Sequence, residues 1–333
     1  MQNSEALIRI LRCFPGRRVL VAGDVILDRY WWGDASRLSP EAPVPVVRKQ
    51  RATAHPGGAA NTAANLTALG AAVELFGVTG ADPEAAELKS VLRECGVGSI
   101  TLFADPSRPT TTKTRVIATH QQIVRVDVED TAPLTAEIAN ALLAALLSRL
   151  PVADALVVSD YAKGFANSDL LARLIDAARK AGTPVFIDPK GSGFDRYLGA
   201  TLLKPNRLEL GLLTGLPVRN HEETLQAGCR LSAAMPGTDV VVTEGAEGLT
   251  RFAGGEARES VKPAPRQVYD VTGAGDTVLA VLAMAICAGA PHRDAMKLAA
   301  EAAAIAIGLM GTAAVALSQL ETAVADQGSP ATV

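Results

Sequence analysis

Short apolar runs bounded by turn residues recur along the 333-residue chain, and between them lie longer stretches whose apolar positions return every three or four residues. Val19-Leu20-Val21-Ala22-Gly23-Asp24 reads as a buried first strand, residues 59–69 as a helix of small side chains, and 73–77 as the strand that follows it. The alternation continues with helix 136–147 and strand 155–159, helix 168–181 and strand 184–188, and helix 222–234 and strand 240–243. Apolar strands separated by helices predict an α/β fold with a mostly parallel central sheet covered on both faces. The longest apolar run, 278–290, is shorter than the ~20 residues that cross a bilayer and predicts a buried helix.

Two segments depart from this rhythm. Residues 29–54 are punctuated by Pro40, Pro43 and Pro45, contain Trp31 and Trp32, and end in the extended Val44-Pro45-Val46-Val47-Arg48. Residues 110–129 alternate, with Lys113 and Arg115 on one period and Val124, Val126 and Val128 on another. Together they predict a small antiparallel sheet projecting from the main body, which covers a site, joins two copies of the chain, or is a surface ribbon. With no repeat and no linker, the chain reads as one domain over 1–325 with these segments inserted, and 326–333, with Gly328, Ser329 and Pro330, as a disordered tail.

Charge and cysteine usage narrow the class. A net charge of −3 and a pI near 5.9 provide no basic field for a nucleic-acid backbone or an anionic membrane. Cys13, Cys95, Cys229 and Cys287 are scattered, and His55, His120, His221 and His292 form no metal-ligand spacing, so reduced thiols and no structural metal are expected. The first twelve residues carry Glu5, Arg9 and Arg12 and lack the apolar run of a secretory signal, which predicts a cytoplasmic protein acting on small molecules.

The strongest chemical signal is Asp270-Val271-Thr272-Gly273-Ala274-Gly275-Asp276-Thr277, turn residues running directly into an apolar helix. Small residues let backbone N–H groups converge at a helix start, which stabilises an anion. Asp276 adds a carboxylate to the same place, which suits a proton acceptor beside a transferring phosphoryl group; an N-cap aspartate is the plain alternative. Such a base needs no raised pKa, since an ordinary Asp is already ionised at neutral pH. Gly57, Gly58 and Asn61 form a second small-residue turn before a helix, and Asp24 and Asp28 lie at the carboxyl end of the first strand, where open α/β sheets place ligands. Carboxylates there suit sugar hydroxyls, although Asp28 could instead pair with Arg29 or Arg37. Lys113, Arg115, Arg37 and Lys163 are candidates for a substrate phosphate, with a solvated charged face as the alternative for each. Asn206-Arg207-Leu208-Glu209 has capping-box spacing, and Thr243, Gly245 and Gly248 lie in a turn that either offers backbone to a nucleotide or is only a hairpin. No GxxxxGK[ST] occurs, and Gly273 to Val278 fails the dinucleotide fingerprint at its last glycine, so nucleotide use would need another scaffold.

In their order along the chain, Gly57 to Asn61, Asn206 to Glu209, Thr243 to Gly248 and Asp270 to Thr277 resemble the ribokinase-like (PfkB) carbohydrate kinases, nearly end to end. Within that family, Gly23 to Trp31, Ser39 to Val46, Gln121 to Arg125, Ser159 to Gly164 and Asp188 to Gly191 are similar to the kinases of D-glycero-β-D-manno-heptose 7-phosphate. The resemblance implies a three-layer sandwich with a strand-built lid, a homodimer through the lid strands, and ATP-dependent phosphorylation of the heptose 7-phosphate at O1 on the way to ADP-heptose. It implies Asp276 as base, an anion hole from the N–H groups of Gly273, Ala274 and Gly275, and a sugar held by Asp24, Asp28, Gly57, Gly58 and Asn61. Asn206 and Glu209 match the motif associated with Mg-ATP, with Arg207 and Leu208 between them, and Thr243, Gly245 and Gly248 would lie along the nucleotide. Asp270 and Thr272 match positions near a monovalent cation site, such as one for K⁺. Relatives often carry Asn beside adenine where this chain has Ala300, and many fuse the kinase to a nucleotidyltransferase, an activity expected here from another protein.

Overall fold

The computed structural model describes residues 2–118, 121–166, 168–263, 271–308 and 314–326. The strands are β1 (Arg18–Gly23), β2 (Val25–Leu38), β3 (Pro45–Gly58), β4 (Ala72–Thr79), β5 (Ser99–Ala104), β6 (Thr112–Ala118), β7 (Gln121–Val128), β8 (Ala155–Ser159), β9 (Val185–Asp188), β10 (Leu202–Leu203), β11 (Asp239–Thr243), β12 (Leu249–Ala253) and β13 (Glu256–Val261). The helices are α1 (Gln2–Leu11), α2 (Ala59–Ala68), α3 (Pro83–Glu94), α4 (Ala136–Arg149), α5 (Ser168–Ala181), α6 (Arg207–Thr214), α7 (His221–Ala234), α8 (Ala274–Cys287), α9 (His292–Ala306) and α10 (Leu317–Asp326).

Nine strands form the main sheet in the order β13-β12-β11-β10-β9-β8-β1-β4-β5. Pairing is parallel from β11 through β5, and only β12 and β13 run antiparallel, as an edge hairpin that the strand–helix rhythm did not announce. The pleat of β1 divides the interior: Val19 and Val21 point into a core shared with α2, α8 and α9, while Leu20 and Ala22 point into the opposite core with α4, α5 and α7. The apolar run expected as a buried helix is α8, whose residues from Asp276 to Ala285 are all buried. Its many alanines let α2 and α9 pack close against it. No helix among the described residues is long and apolar enough to cross a membrane.

The two off-rhythm segments form one four-stranded sheet, β3-β2-β6-β7. It is mixed rather than antiparallel: β2 pairs antiparallel with β3 and β6 with β7, but β2 and β6 run parallel. Parallel pairing follows because β2 leaves β1, and β6 leaves the region of β5, in the same direction off the carboxyl edge of the main sheet. The lid begins earlier than expected, at Val25, directly after Asp24. The tail at 327–333 lies outside the described residues.

Candidate active site

The order of the main sheet places its switch point between β1 and β8: the chain goes from β1 to β4 on one side, and from β8 to β9 on the other. Ligands of open α/β sheets bind at that crevice, beyond the strand carboxyl ends. Here the strands run out into Asp24 after β1, Asp160 after β8, Asp188 at the end of β9, Lys204 after β10 and Glu244 after β11, all of them buried. A row of buried charges on one edge of an apolar sheet is costly unless each is partnered.

Asp276 lies in the first turn of α8 at this edge and is 2% exposed. Its Oδ2 accepts from Asn61 Nδ2 at 2.7 Å, and its Oδ1 from Thr62 Oγ1 at 3.1 Å. The Tyr161 hydroxyl lies 3.3 and 3.4 Å from the two oxygens. Below them, Thr277 Oγ1 donates to Asn65 Oδ1 at 2.9 Å, and Asn65 Nδ2 donates to Asn61 Oδ1 at 3.2 Å, so α2 fixes the Asn61 side chain. Burial pushes the Asp276 carboxyl up to about 6 against the lowering pull of Asn61, Lys204, Thr62 and Tyr161. An ordinary carboxylate pKa is thus corrected by the structure: desolvation outweighs every donor around it.

Gly273, in the left-handed conformation (φ 81°), precedes the helix, and the first intrahelical bond runs from Thr277 N to the Gly273 carbonyl. Ala274 N reaches Val271 O at 3.4 Å, so the N–H groups with no acceptor inside the helix are those of Gly275 and Asp276. A Cβ on Gly275 would lie 3.4 Å from Lys204 Nζ, which pairs with Asp188 Oδ1 at 3.0 Å. Burial alone would lower the Lys204 pKa, but Asp188, Glu209 and Asp276 together raise it, so the ammonium stays charged beside these amides. Thr272 lies in this turn, and Asp270, the other residue expected near a monovalent cation, lies outside the described residues.

On the lid side, Asp28 faces the site: Arg115 Nη1 donates to it at 2.5 Å, and Gly57 leaves room for its carboxylate, where a Cβ would come within 2.3 Å. Lys113 pairs with Asp127 at 3.1 Å and Glu129 at 3.4 Å, and Lys163 reaches the same Glu129 at 2.8 Å. The expectation of Asp24 as a sugar ligand meets a different geometry, since its carboxylate is occupied by backbone N–H groups of Tyr161, Lys163 and Phe165. Arg37 is not brought to the site: it pairs with Val46 far along the β2–β3 hairpin and is exposed.

On the other side, Asn206 and Glu209 form a full capping box, Asn206 Oδ1 accepting from Glu209 N at 2.9 Å and Glu209 Oε2 from Asn206 N at 2.8 Å. Glu209 is buried and keeps Oε1 for Lys190 Nζ at 2.8 Å. Arg207 approaches the buried Glu244 at 3.9 Å, whereas Leu208 is largely exposed. The segment from Thr243 to Gly248 turns β11 into β12 as a hairpin, with Glu244 N bonded to Gly248 O. Ala300 is buried in α9.

A family model, pfkB family carbohydrate kinase, matches residues 17–319. The chain belongs to the pfkB family. The kinase is 44% identical over 312 residues to the bifunctional protein HldE of Yersinia enterocolitica, covering 92% of this chain and 63% of that protein. It is 42% identical over 329 residues to the bifunctional protein HldE of Caulobacter vibrioides, covering 98% of this chain and 67% of that one. It therefore spans about two thirds of the length of the curated relatives it matches. Arabidopsis thaliana ribokinase complexed with ribose and ATP has a similar structure, with a TM-score of 0.73 at 22% identity, covering 93% of this chain and 99% of that one. Phosphofructokinase-2 from Escherichia coli in complex with fructose-6-phosphate gives 0.76 at 19% identity, covering 95% and 100%. These likenesses establish the fold.

Two residues at the centre of the kinase were absent from the sequence-derived site. Tyr161 lies within a motif read only as a family string. Lys204 interrupts the apolar Leu202-Leu203 just before Pro205, and a lone charge at the carboxyl end of a buried strand is the signal that points to it.

Proposed function

We propose that this kinase transfers the γ-phosphoryl group of ATP to O1 of D-glycero-β-D-manno-heptose 7-phosphate. The observation that carries the reading is Asp276, a buried carboxylate held by three side-chain donors next to the open N–H groups of a helix start. The O1 hydroxyl, placed between Asp276 and the γ-phosphorus, attacks in line; the O1–P bond forms, the bond from phosphorus to the β-bridging oxygen breaks, and ADP leaves. Asp276 takes the hydroxyl proton as the new bond acidifies it. The amides of Gly275 and Asp276 and the ammonium of Lys204 stabilise charge on the transferring group, an effect of about 3 kcal/mol per donor.

Asp28 and Asn61 face the space assigned to the sugar. Around Glu129, three cations (Lys113, Lys163, Arg125) share two carboxylates (Asp127, Glu129), leaving one positive charge to receive the 7-phosphate. The nucleotide lies along Asn206 to Glu209 and Thr243 to Gly248. Glu209, a buried carboxylate whose Oε2 accepts from Asn206 N and whose Oε1 accepts from Lys190 Nζ, would be the foremost side chain to meet Mg²⁺ carried in on the phosphates. Bound there, Mg²⁺ neutralises phosphate oxygens. The lid sheet's outer face joins two copies into a dimer.

A coupled ADP-release assay over the heptose 7-phosphate, fructose 6-phosphate, ribose and adenosine tests the reading. The heptose 7-phosphate should have the highest kcat/KM by at least tenfold, with the new phosphate on O1. Preference for a neutral sugar, or turnover of none, would overturn it.

A further inference from the structure

Residues 160–165 form a tight loop with an unusual number of inward-pointing amides. Tyr161 N and Lys163 N donate to Asp24 Oδ2 at 2.8 and 3.1 Å, and Phe165 N donates to Asp24 Oδ1 at 3.1 Å. Between them, Ala162 N donates to Asp160 Oδ1 at 2.7 Å, and the Tyr197 hydroxyl holds Asp160 Oδ2 at 2.6 Å. Ala162 has φ 57°, a left-handed conformation that a side chain tolerates only when its surroundings impose it. Two buried carboxylates, one from β1 and one from β8, thus dictate the path of this loop. The side chain it delivers to the site is that of Tyr161, whose hydroxyl spans both oxygens of Asp276.

We propose that Asp24 is a positioning residue rather than a sugar ligand: its carboxylate fixes the loop so that the Tyr161 hydroxyl donates to Asp276 and holds that carboxylate oriented toward the acceptor. This rests on Asp276 acting as the base. Two observations support it. Asp24 is 6% exposed and its carboxylate already accepts three backbone N–H groups, two on Oδ2 and one on Oδ1, which leaves about one lone pair beyond the loop. The Tyr161 hydroxyl is kept protonated, because burial and the carboxylates of Asp276, Asp188 and Asp28 all raise its pKa, so it can only donate to Asp276. The remaining groups facing Asp276 are Asn61 and Thr62 on α2, Lys204 after β10 and Asp188 on β9, with Glu209 beyond Lys204; none of them depends on the loop.

Tyr161→Phe removes one oxygen and keeps the ring, and Asp24→Asn keeps the shape while replacing an acceptor oxygen with a donor. Both should move the acid limb of kcat/KM upward by about half a pH unit, a threefold change in the ionisation constant, and lower kcat/KM about threefold at pH 5, below the limb, with recovery at higher pH. KM for ATP should stay within twofold. The double variant should lose no more than the worse single one, because the two residues act through one contact. Titration of ¹³C-labelled Asp276 in the intact protein, assigned with Asp276→Asn, should show the same upward shift without any substrate. A sugar KM raised more than tenfold in Asp24→Asn, with the acid limb and the ¹³C midpoint unmoved, would overturn the proposal and return Asp24 to the sugar. If Asp24→Asn does not fold, an unmoved midpoint in Tyr161→Phe overturns it alone. A shifted midpoint in a protein that phosphorylates no sugar would leave the positioning intact and remove the function proposed above.

Discussion

Asp276 combines two demands that conflict in a protein interior. A base must be ionised, and a carboxylate 2% exposed resists ionisation; the outcome, about 6, leaves it mostly ionised at neutral pH with a basicity closer to that of an acidified hydroxyl. Activity should therefore rise with pH through about 6 and level off, seen as the acid limb of kcat/KM. Asp276→Asn should lower kcat by at least 10³-fold with little change in either KM. The same burial has a cost in stability. The folded pKa lies above the unfolded value of 3.8, so the favourable contribution is complete below about pH 4 and is lost as pH rises through about 6. Relative to the wild type, Asp276→Asn should gain about 2 kcal/mol on going from pH 4 to 7.5, read from denaturation at both pH values. A variant equally inactive but with no pH-dependent gain would show the carboxylate to be solvated in the protein.

At the scale of elements, the start of α2 is set by one glycine. Gly58 has φ 57° and ψ −135°, a region closed to residues with side chains, and a Cβ there would lie 2.4 Å from the Asp24 backbone oxygen, which cannot yield. Gly58→Ala should cost about 3 kcal/mol or more and, by shifting α2, take Asn61 and Thr62 off Asp276; a denaturation midpoint within error of wild type would contradict this. The cap of α6 separates structure from chemistry in a different way. Glutamine can still accept from Asn206 N, so Glu209→Gln should cost under about 1 kcal/mol while raising the Mg²⁺ needed for half-maximal rate about tenfold. An unchanged Mg²⁺ dependence would leave Glu209 a helix cap alone. Elements such as these were largely legible in the sequence: β8 and α5 fall at the residues that periodicity assigned, and the other expected strands and helices within a few residues. Local chemistry determines them. Legibility failed where a residue's role depends on distant chain: Asp24 looked like a ligand because strand ends bind ligands, yet its partners arrive some 140 positions later, and Arg37 looked like a phosphate ligand until the hairpin carried it outward. Lys204 and Tyr161 gain meaning only once β10 and the loop after β8 lie beside α8.

For the whole molecule, the pleat of the lid sheet sorts its side chains into two unlike faces. Asp28, Tyr30, Lys113, Arg115, Arg125 and Asp127 share the face toward the site by register. Trp31, Val116, Val124, Val126 and Val128 share the other, where Trp31 is 37% exposed and the three β7 valines 47–49%. Here also lies a groove of about 290 Å³, lined by Arg29, Trp31, Lys49, Ala52 and Glu87 among others. Arg29 ties β2 to α3 through Glu84 and Glu87, so the lid stands in a fixed relation to the body and offers this apolar face as a firm surface. A row of exposed valines on a sheet one of whose edges is β7 is an aggregation hazard unless something covers it, and a second lid meeting it face to face buries the valines of both copies. Val126→Lys should then convert such a dimer into a monomer in sedimentation velocity at micromolar concentration, because the paired lids would have to bury an ammonium group from each copy. Its effect on turnover reports how far the lid depends on its partner. If the lids brace each other over the sugar, the monomer should show a sugar KM raised about tenfold and a kcat changed less than threefold. A wild-type protein that sediments as a monomer would leave the lid's outer face to some other covering.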